Sequence, residues 1–163
     1  MHRLLTSDET AELDEFRSAG FSLLGATSET DDLLPLIDEW VRSEQLITLD
    51  IGHPNRTDDE LIDVSWAVGS LLGDQFVDRL GWAWALVGSG DAAKFGIVSA
   101  DAALSLYPSF FIRDCIEDPN RDFTAWLIFN MVAADRFSDT ESGSCLDLSK
   151  HVVRIVPREP LAD

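Results

Sequence analysis

Residues 57–98 read TDDELIDVSWAVGSLLGDQFVDRLGWAWALVGSGDAAKFGIV, and this stretch predicts a long helix followed by a hairpin in the middle of the chain. Thr57 and Glu60 have the spacing of a capping box, which satisfies two backbone N–H groups at a helix start. Apolar residues then recur at steps of three and four up to Leu80, as on a helix with one buried face. The residues assigned to that face are Leu61, Ile62, Val64, Trp66, Val68, Leu71, Leu72, Phe76 and Leu80.

Two glycines lie on one face of this predicted helix, at positions 69 and 73. A glycine inside a helix costs about 1 kcal/mol relative to alanine, because it loses more backbone freedom on folding. We therefore expect another element of the fold to approach closely at Gly69 and Gly73.

After Gly81 the sequence pattern changes from helical to extended. The runs 82–87 and 94–98 are separated by a glycine-rich segment, 88–91, which predicts a β-hairpin. No phosphate-binding motif follows that segment, so we interpret it as a turn. A third strand is predicted at 103–107, where Pro108 ends it because proline has no N–H to donate to a sheet. The three strands are expected to form an antiparallel meander.

Two helices are predicted ahead of this segment. The first begins at Ser7, is followed by carboxylates that complement the helix dipole, and ends before Gly20. The second begins between residues 30 and 32 and has Pro35 in its first turn, where a proline is tolerated.

The last part of the chain is predicted to contain a mostly buried apolar helix at 122–137, a polar loop at 138–149 and a strand at 152–156. Residues 1–163 are thus predicted to form a single α+β domain, in which an antiparallel sheet of three to four strands packs against about four helices.

Negative charge is concentrated toward the N-terminus. The chain has 30 acidic and 12 basic side chains, a net charge of −18 at pH 7. Residues 1–63, the acidic helical part, carry 16 acidic side chains against four arginines, a balance of −12, while residues 64–163 carry −6. Such a surface repels phosphate, so we predict no binding to nucleic acid or to a membrane, and a basic protein as the natural partner.

The sequence offers no pattern typical of secretion or of a disulfide framework. Residues 1–9 contain too few apolar side chains for a signal peptide, so a cytoplasmic location is predicted. Cys115 and Cys145 are thirty residues apart, and we interpret them as reduced, partly buried thiols.

Patterns for metal binding and catalysis are also missing from the sequence. The three histidines, His2, His53 and His151, are scattered singly, with no Cys-x-x-Cys pair beside them. No Gly-x-Ser-x-Gly motif marks a nucleophile. We predict a protein without a metal or cofactor, and not an enzyme.

Charge density alone selects the candidate partner-binding residues. They are Asp31, Asp32, Asp38, Glu39, Asp58 and Asp59. Trp82 and Trp84 share one face of a strand, because side chains two apart in a strand point the same way. We expect them to cover the core, with an exposed platform for a partner as the alternative.

Several short motifs resemble a bacterial family. They are Leu71-Leu72-Gly73, Leu80-Gly81-Trp82-Ala83-Trp84, Ile97-Val98-Ser99, Leu106-Tyr107-Pro108 and Phe111-Ile112. Through these motifs, residues 66–118 resemble an uncharacterised family of small bacterial proteins, a domain of unknown function. The resemblance implies a helix packed on an antiparallel sheet and a bacterial origin, but supplies no catalytic residues. In size and acidity the chain also resembles bacterial immunity proteins, which neutralise a secreted toxin by binding it.

The leading hypothesis from the sequence is a non-enzymatic, immunity-type protein that binds a toxin or another effector through its acidic face. One alternative is a small hydrolase or transferase with a carboxylate-lined pocket near Gly69, Gly73 and the tryptophan strand. Another is a self-associating scaffold domain that forms a homodimer.

Overall fold

The computed structural model describes residues 2–30, 32–49, 56–118 and 124–151. In chain order, its elements are β1 (His2–Leu4), α1 (Ser7–Leu24), α2 (Leu34–Leu49), α3 (Asp58–Leu80), β2 (Ala83–Val87), β3 (Lys94–Val98), β4 (Leu104–Leu106), α4 (Pro108–Glu117), α5 (Ala125–Ala133), β5 (Leu146–Asp147) and α6 (Leu148–His151). The described residues therefore form an α+β fold with six helices and one sheet of five strands.

The sheet has the strand order β1-β2-β3-β4-β5. Strands β1 to β4 pair with one another in antiparallel fashion, and β5 lies parallel to β4. The predicted meander of β2, β3 and β4 is confirmed, but the prediction of a purely antiparallel sheet is wrong. The two edge strands contain three and two residues, too few for an alternating pattern. The strand predicted at 152–156 lies outside the described residues.

The main core lies between the helices and one face of the sheet. Helix α3 contributes fully buried Val68, Leu71 and Leu72, and β3 contributes Ile97. The predicted start and end of α3 are confirmed: Thr57 and Glu60 form the capping box, and Gly81, with φ of 69°, ends the helix. The central helix therefore follows from local sequence signals and is fixed in place by burial.

Close packing explains the two glycines of α3. A side-chain carbon at Gly69 would lie 2.7 Å from Cα of Ser109, in the first turn of α4. One at Gly73 would overlap the six-membered ring of Trp84. The expectation of a close approach at both positions is confirmed.

Helices α1 and α4 differ from the predictions. Gly20 does not end α1 but lies inside it, where a side-chain carbon would clash with the carbonyl of Ala67 on α3. The helix ends only at Gly25, whose φ of 61° is readily adopted by glycine. Helix α4 is absent from the predictions, because Pro108 suits both a strand end and the first position of a helix.

The tryptophans of the hairpin contribute to the core, as predicted. Trp82 is only 6% exposed and packs edge-on against Phe76, with ring centroids 5.1 Å apart. Trp84 is half-buried over Gly73. The last apolar helix, α5, is less buried than predicted, since Trp126 on it is 54% exposed.

Candidate functional site

The predicted partner-binding acids do not form one cluster. Asp32 accepts a hydrogen bond of 3.1 Å from Arg79, near the C-terminal end of α3. Asp58 is the first residue of that helix and lies 3.8 Å from Arg113. The stretch of α3 from Asp58 to Arg79 is about 31 Å long, at about 1.5 Å per residue. Asp32 and Asp58 therefore contact opposite ends of this helix or belong to them. Asp31 lies outside the described residues.

One of the predicted acids, Asp38, is engaged inside the molecule. Its carboxylate accepts backbone N–H bonds from Ala125 at 2.6 Å and Trp126 at 3.2 Å, at the N-terminus of α5. Burial raises the pKa of Asp38, while these N–H donors act in the opposite direction. Glu39 and Asp59, by contrast, are exposed and form no ion pair with any described residue.

A surface group of three aromatic rings lies where α1, α3 and β3 meet. Phe16 stacks on Trp66 with ring centroids 5.4 Å apart and an interplanar angle of 24°. Phe95 stands perpendicular to Trp66, at 5.8 Å. The three rings, together with Glu12 and Leu13, line an open hollow of about 110 Å³. We call this hollow the aromatic corner.

A second hollow, of about 150 Å³, lies on another side of Trp66. Ile62, Ser65, Ser109, Phe110 and Arg113 complete its lining. The hydroxyl oxygens of Ser65 and Ser109 are buried and have no hydrogen-bond partner among the described residues. Arg113 donates two hydrogen bonds of 3.1 Å to Glu117, which raises the pKa of the guanidinium. Trp66 therefore lines two hollows, the first of which contains Glu12 and the second Arg113.

Exposed carboxylates continue from the aromatic corner along two helices. Residues three and four apart are neighbours on a helix surface, which places Glu12 beside Phe16 and Asp63 beside Trp66. By the same spacing, Asp8 and Glu15 are neighbours of Glu12, and Asp59 is a neighbour of Asp63. We call them the acidic rim: Asp8, Glu12 and Glu15 on α1, and Asp59 and Asp63 on α3. Within the described part of the chain, none of these five forms an ion pair.

Sequence reasoning missed the aromatic corner because it assigned Ile62 and Trp66 to the core. Ile62 is 38% exposed, and Trp66 is only half-buried. A signal was nevertheless present. Asp59, Asp63 and Trp66 follow one another at steps of four and three, so they share a helix face, and two carboxylates beside an indole are typical of a solvated surface.

A larger cleft of about 690 Å³ lies beside Phe110. Its lining includes the only two lysines of the sequence, Lys94 and Lys150, with Asp114 and Asp147. Its other lining residues are Ala92, Tyr107, Phe110, Cys145 and Ser149. Burial and the proximity of Asp147 and Cys145 raise the pKa of Tyr107. The cleft is thus polar and of mixed charge.

The carboxylate pocket predicted beside Gly69 and Gly73 does not open over those residues. The first turn of α4 and the indole of Trp84 fill that space. Asp114 of α4 and Asp147 of β5 instead share the larger cleft beside Phe110.

Metal clusters, disulfides and membrane spans do not occur in the described ranges. There, His, Cys, Asp and Glu side chains nowhere form a group of three that could hold a metal ion. Cys115 and Cys145 are free thiols, the first buried and the second partly buried. None of the described helices combines the length and the apolar character needed to cross a membrane.

Comparisons of the chain with family models, with curated proteins and with solved structures found no match. The resemblance of residues 66–118 to an uncharacterised bacterial family therefore stays a prediction.

Proposed function

We propose that this chain is a non-enzymatic binding protein of the bacterial cytoplasm, of the immunity type, whose acidic surface meets a basic surface on a toxin or another effector. The observation that carries the proposal is the acidic rim: five exposed carboxylates on α1 and α3 that form no ion pair within the described part of the chain. One of them, Glu12, lines the aromatic hollow.

The charge of this surface suits recognition of a basic protein. An excess of 18 negative charges attracts a cationic partner over a distance of about 8 Å at physiological salt. Such attraction speeds association and orients the two surfaces more than it tightens the final complex. The acidic rim would therefore guide the partner toward α1 and α3.

A binding surface also needs side chains that contribute binding energy in the final complex, and the aromatic side chains beside the rim suit this requirement. Tryptophan is enriched among the residues that carry most of the binding energy in protein interfaces. Trp66 is half-buried and held between Phe16 and Phe95, so little conformational freedom remains to be lost on binding. In this proposal the rim supplies the association rate and the rings supply the contact.

The proposed surface differs from the one that charge density alone indicated. Asp59 belongs to both surfaces. Asp38 is engaged at the start of α5 and Asp32 is paired with Arg79, which leaves less of their charge for a partner. Glu39 is exposed on α2, and its part in binding stays a prediction.

The proposal is tested by capturing binding proteins from extracts of the native host, with the tagged full chain, at low and at moderate salt. The product of the neighbouring reading frame is tested directly by surface plasmon resonance. A rim variant, Glu15→Gln with Asp59→Asn and Asp63→Asn, loses three charges. A matched control, Asp135→Asn with Asp139→Asn and Glu141→Gln, loses three charges from an exposed segment after α5.

We expect the rim variant to lower the association rate about tenfold at low salt, with a smaller effect at higher salt, while the control changes it little. Equal effects of the two variants would show that only total charge matters. Recovery of no stable protein partner at either salt would overturn the proposed function.

A further inference from the structure

The aromatic corner combines the two kinds of group that attract an organic cation. The faces of aromatic rings carry partial negative charge and bind ammonium and guanidinium groups. Here Phe16 lies nearly parallel to Trp66, at 24°, Phe95 stands at 90° to Trp66, and all three rings line one hollow. Glu12 adds a carboxylate to the same lining.

Glu12 is available for such a ligand. Its side chain is exposed, and it forms no ion pair with any described residue. Among the described residues, no lysine or arginine lines the aromatic corner. The second hollow beside Trp66 differs, because the described residues of its lining include Arg113 and no carboxylate.

The size of the corner limits what can enter. Its volume is about 110 Å³, whereas a cavity of about 150 Å³ holds a benzene molecule. The head group of an arginine or lysine side chain, with part of its apolar stem, is of this size. A folded domain or a large ligand could contact the hollow only through such a protruding group.

We propose that the aromatic corner is a binding site for an organic cation, and that an arginine or lysine side chain of a basic protein partner occupies it. The identity of the occupant rests on the proposed function. In the complex, the cation would lie against the rings of Phe16, Trp66 and Phe95 and close to the carboxylate of Glu12.

The site is tested on the isolated full chain with N-acetyl-arginine amide as the probe and N-acetyl-citrulline amide as its neutral counterpart. Binding is followed by NMR at the indole N–H of Trp66. We expect the arginine derivative to shift this signal and the citrulline derivative to leave it nearly unchanged. Equal shifts from both probes would overturn the proposal, because they would show binding without a requirement for charge.

Two variants test whether the carboxylate of Glu12 itself contributes to binding of the probe. Glu12→Gln keeps the shape of the side chain and is expected to weaken binding of the arginine probe about two- to fivefold. Glu15→Gln removes a charge from the same exposed helix outside the corner, and should have a smaller effect. If the two variants weaken binding equally, Glu12 has no specific role and the proposal fails.

A third variant, Trp66→Leu, removes the central ring and should weaken binding of the arginine probe about three- to thirtyfold. Because this variant lacks the indole N–H, its binding is followed by NMR at neighbouring backbone amides. Because Trp66 also stacks on Phe16, circular dichroism must show that this variant folds. If it does not, Glu12→Gln still decides the question, since Glu12 is exposed.

Small free cations distinguish a partner side chain from a metabolite. Tetramethylammonium and choline are titrated in the same way, and tighter binding of either than of the arginine derivative would overturn the assignment to a side chain. The variants Glu12→Gln and Trp66→Leu are then compared in the partner-binding assay. Partner association that is slowed in the rim variant, with partner binding unchanged in both corner variants, would refute this inference and leave the proposed function standing.

Discussion

Arg17 of α1 and Asp74 of α3 form a two-pronged ion pair that connects elements distant in sequence. Nε of Arg17 lies 2.6 Å from Oδ2 of Asp74, and Nη2 lies 2.7 Å from Oδ1. The indole N–H of Trp84 donates to the same Oδ1 at 2.9 Å. One carboxylate therefore joins α1, α3 and β2, and two of these elements also support the aromatic corner.

Asp74→Ala is expected to lower the free energy of unfolding by about 2–4 kcal/mol, because it leaves Nε and Nη2 of a partly buried guanidinium and an indole N–H without this acceptor. Asp14→Ala is the matched control. Asp14 also contacts Arg17, but it is 63% exposed, so its loss should cost less than about 1 kcal/mol. Urea denaturation followed by circular dichroism measures the free energy of unfolding of both variants. Equal decreases in the two would contradict the central role of Asp74.

The parts of the fold that follow from sequence are those with strong local signals. The capping box at Thr57 and the alternation of the hairpin each require only neighbouring residues. Helix α4 could not be recognised, since Pro108 favours a strand end and a helix start alike. Gly20 was misleading for a different reason: its lack of a side chain serves contact with α3, which no local pattern reveals.

The candidate site was predictable only in its charge. Composition correctly indicates many carboxylates between residues 1 and 63, but it does not show which of them face solvent. Asp38 and Glu39 are adjacent and similar in chemistry, yet it is Asp38 that bonds to the start of α5. Trp66 fits the apolar stripe of α3 by spacing, and its position at the surface depends on where α1 and β3 pack.

The different roles of Asp38 and Glu39 give a second prediction. Asp38→Ala removes the acceptor of two backbone N–H groups in the first turn of α5 and should lower the free energy of unfolding by about 1–3 kcal/mol. Glu39→Ala, at an exposed position, should change it by less than about 0.5 kcal/mol. Thermal and urea denaturation of the two variants provide the measurement. A Glu39 variant as unstable as the Asp38 variant would disagree with the structure.

The start of α1 should make stability depend on pH. Hydrogen bonds from Arg3 and from the backbone N–H of Thr6 lower the pKa of Glu9 to about 2, from its usual 4.5. Because the folded-state pKa lies below the unfolded one, Glu9 contributes stability that is complete above about pH 4.5 and disappears as pH falls toward 2. Glu9→Gln should therefore be less stable than the wild type at neutral pH, and the difference should shrink across that interval.

Arg3→Ala provides the control for this pH effect. The hydrogen bond from Arg3 is the largest cause of the lowered pKa of Glu9. In a protein that carries Arg3→Ala, the substitution Glu9→Gln should therefore change stability less than it does in the wild type, and this change should depend less on pH. Free energies of unfolding measured at several pH values from neutral down to the folded-state pKa give the answer. An effect of the same size with and without Arg3 would show that the ion pair does not set the pKa.

The contact between Gly73 and Trp84 gives the last prediction. Gly73→Ala would by itself favour α3 by about 1 kcal/mol, but its methyl group would overlap the indole ring. We expect a net loss of about 1–3 kcal/mol in the free energy of unfolding, since overpacking displaces the ring or the helix. The double variant with Trp84→Leu tests the cause. Once the ring is removed, Gly73→Ala should become neutral or stabilising, a non-additivity typical of residues in contact. If alanine costs the same beside leucine as beside tryptophan, the indole is not what requires glycine at position 73.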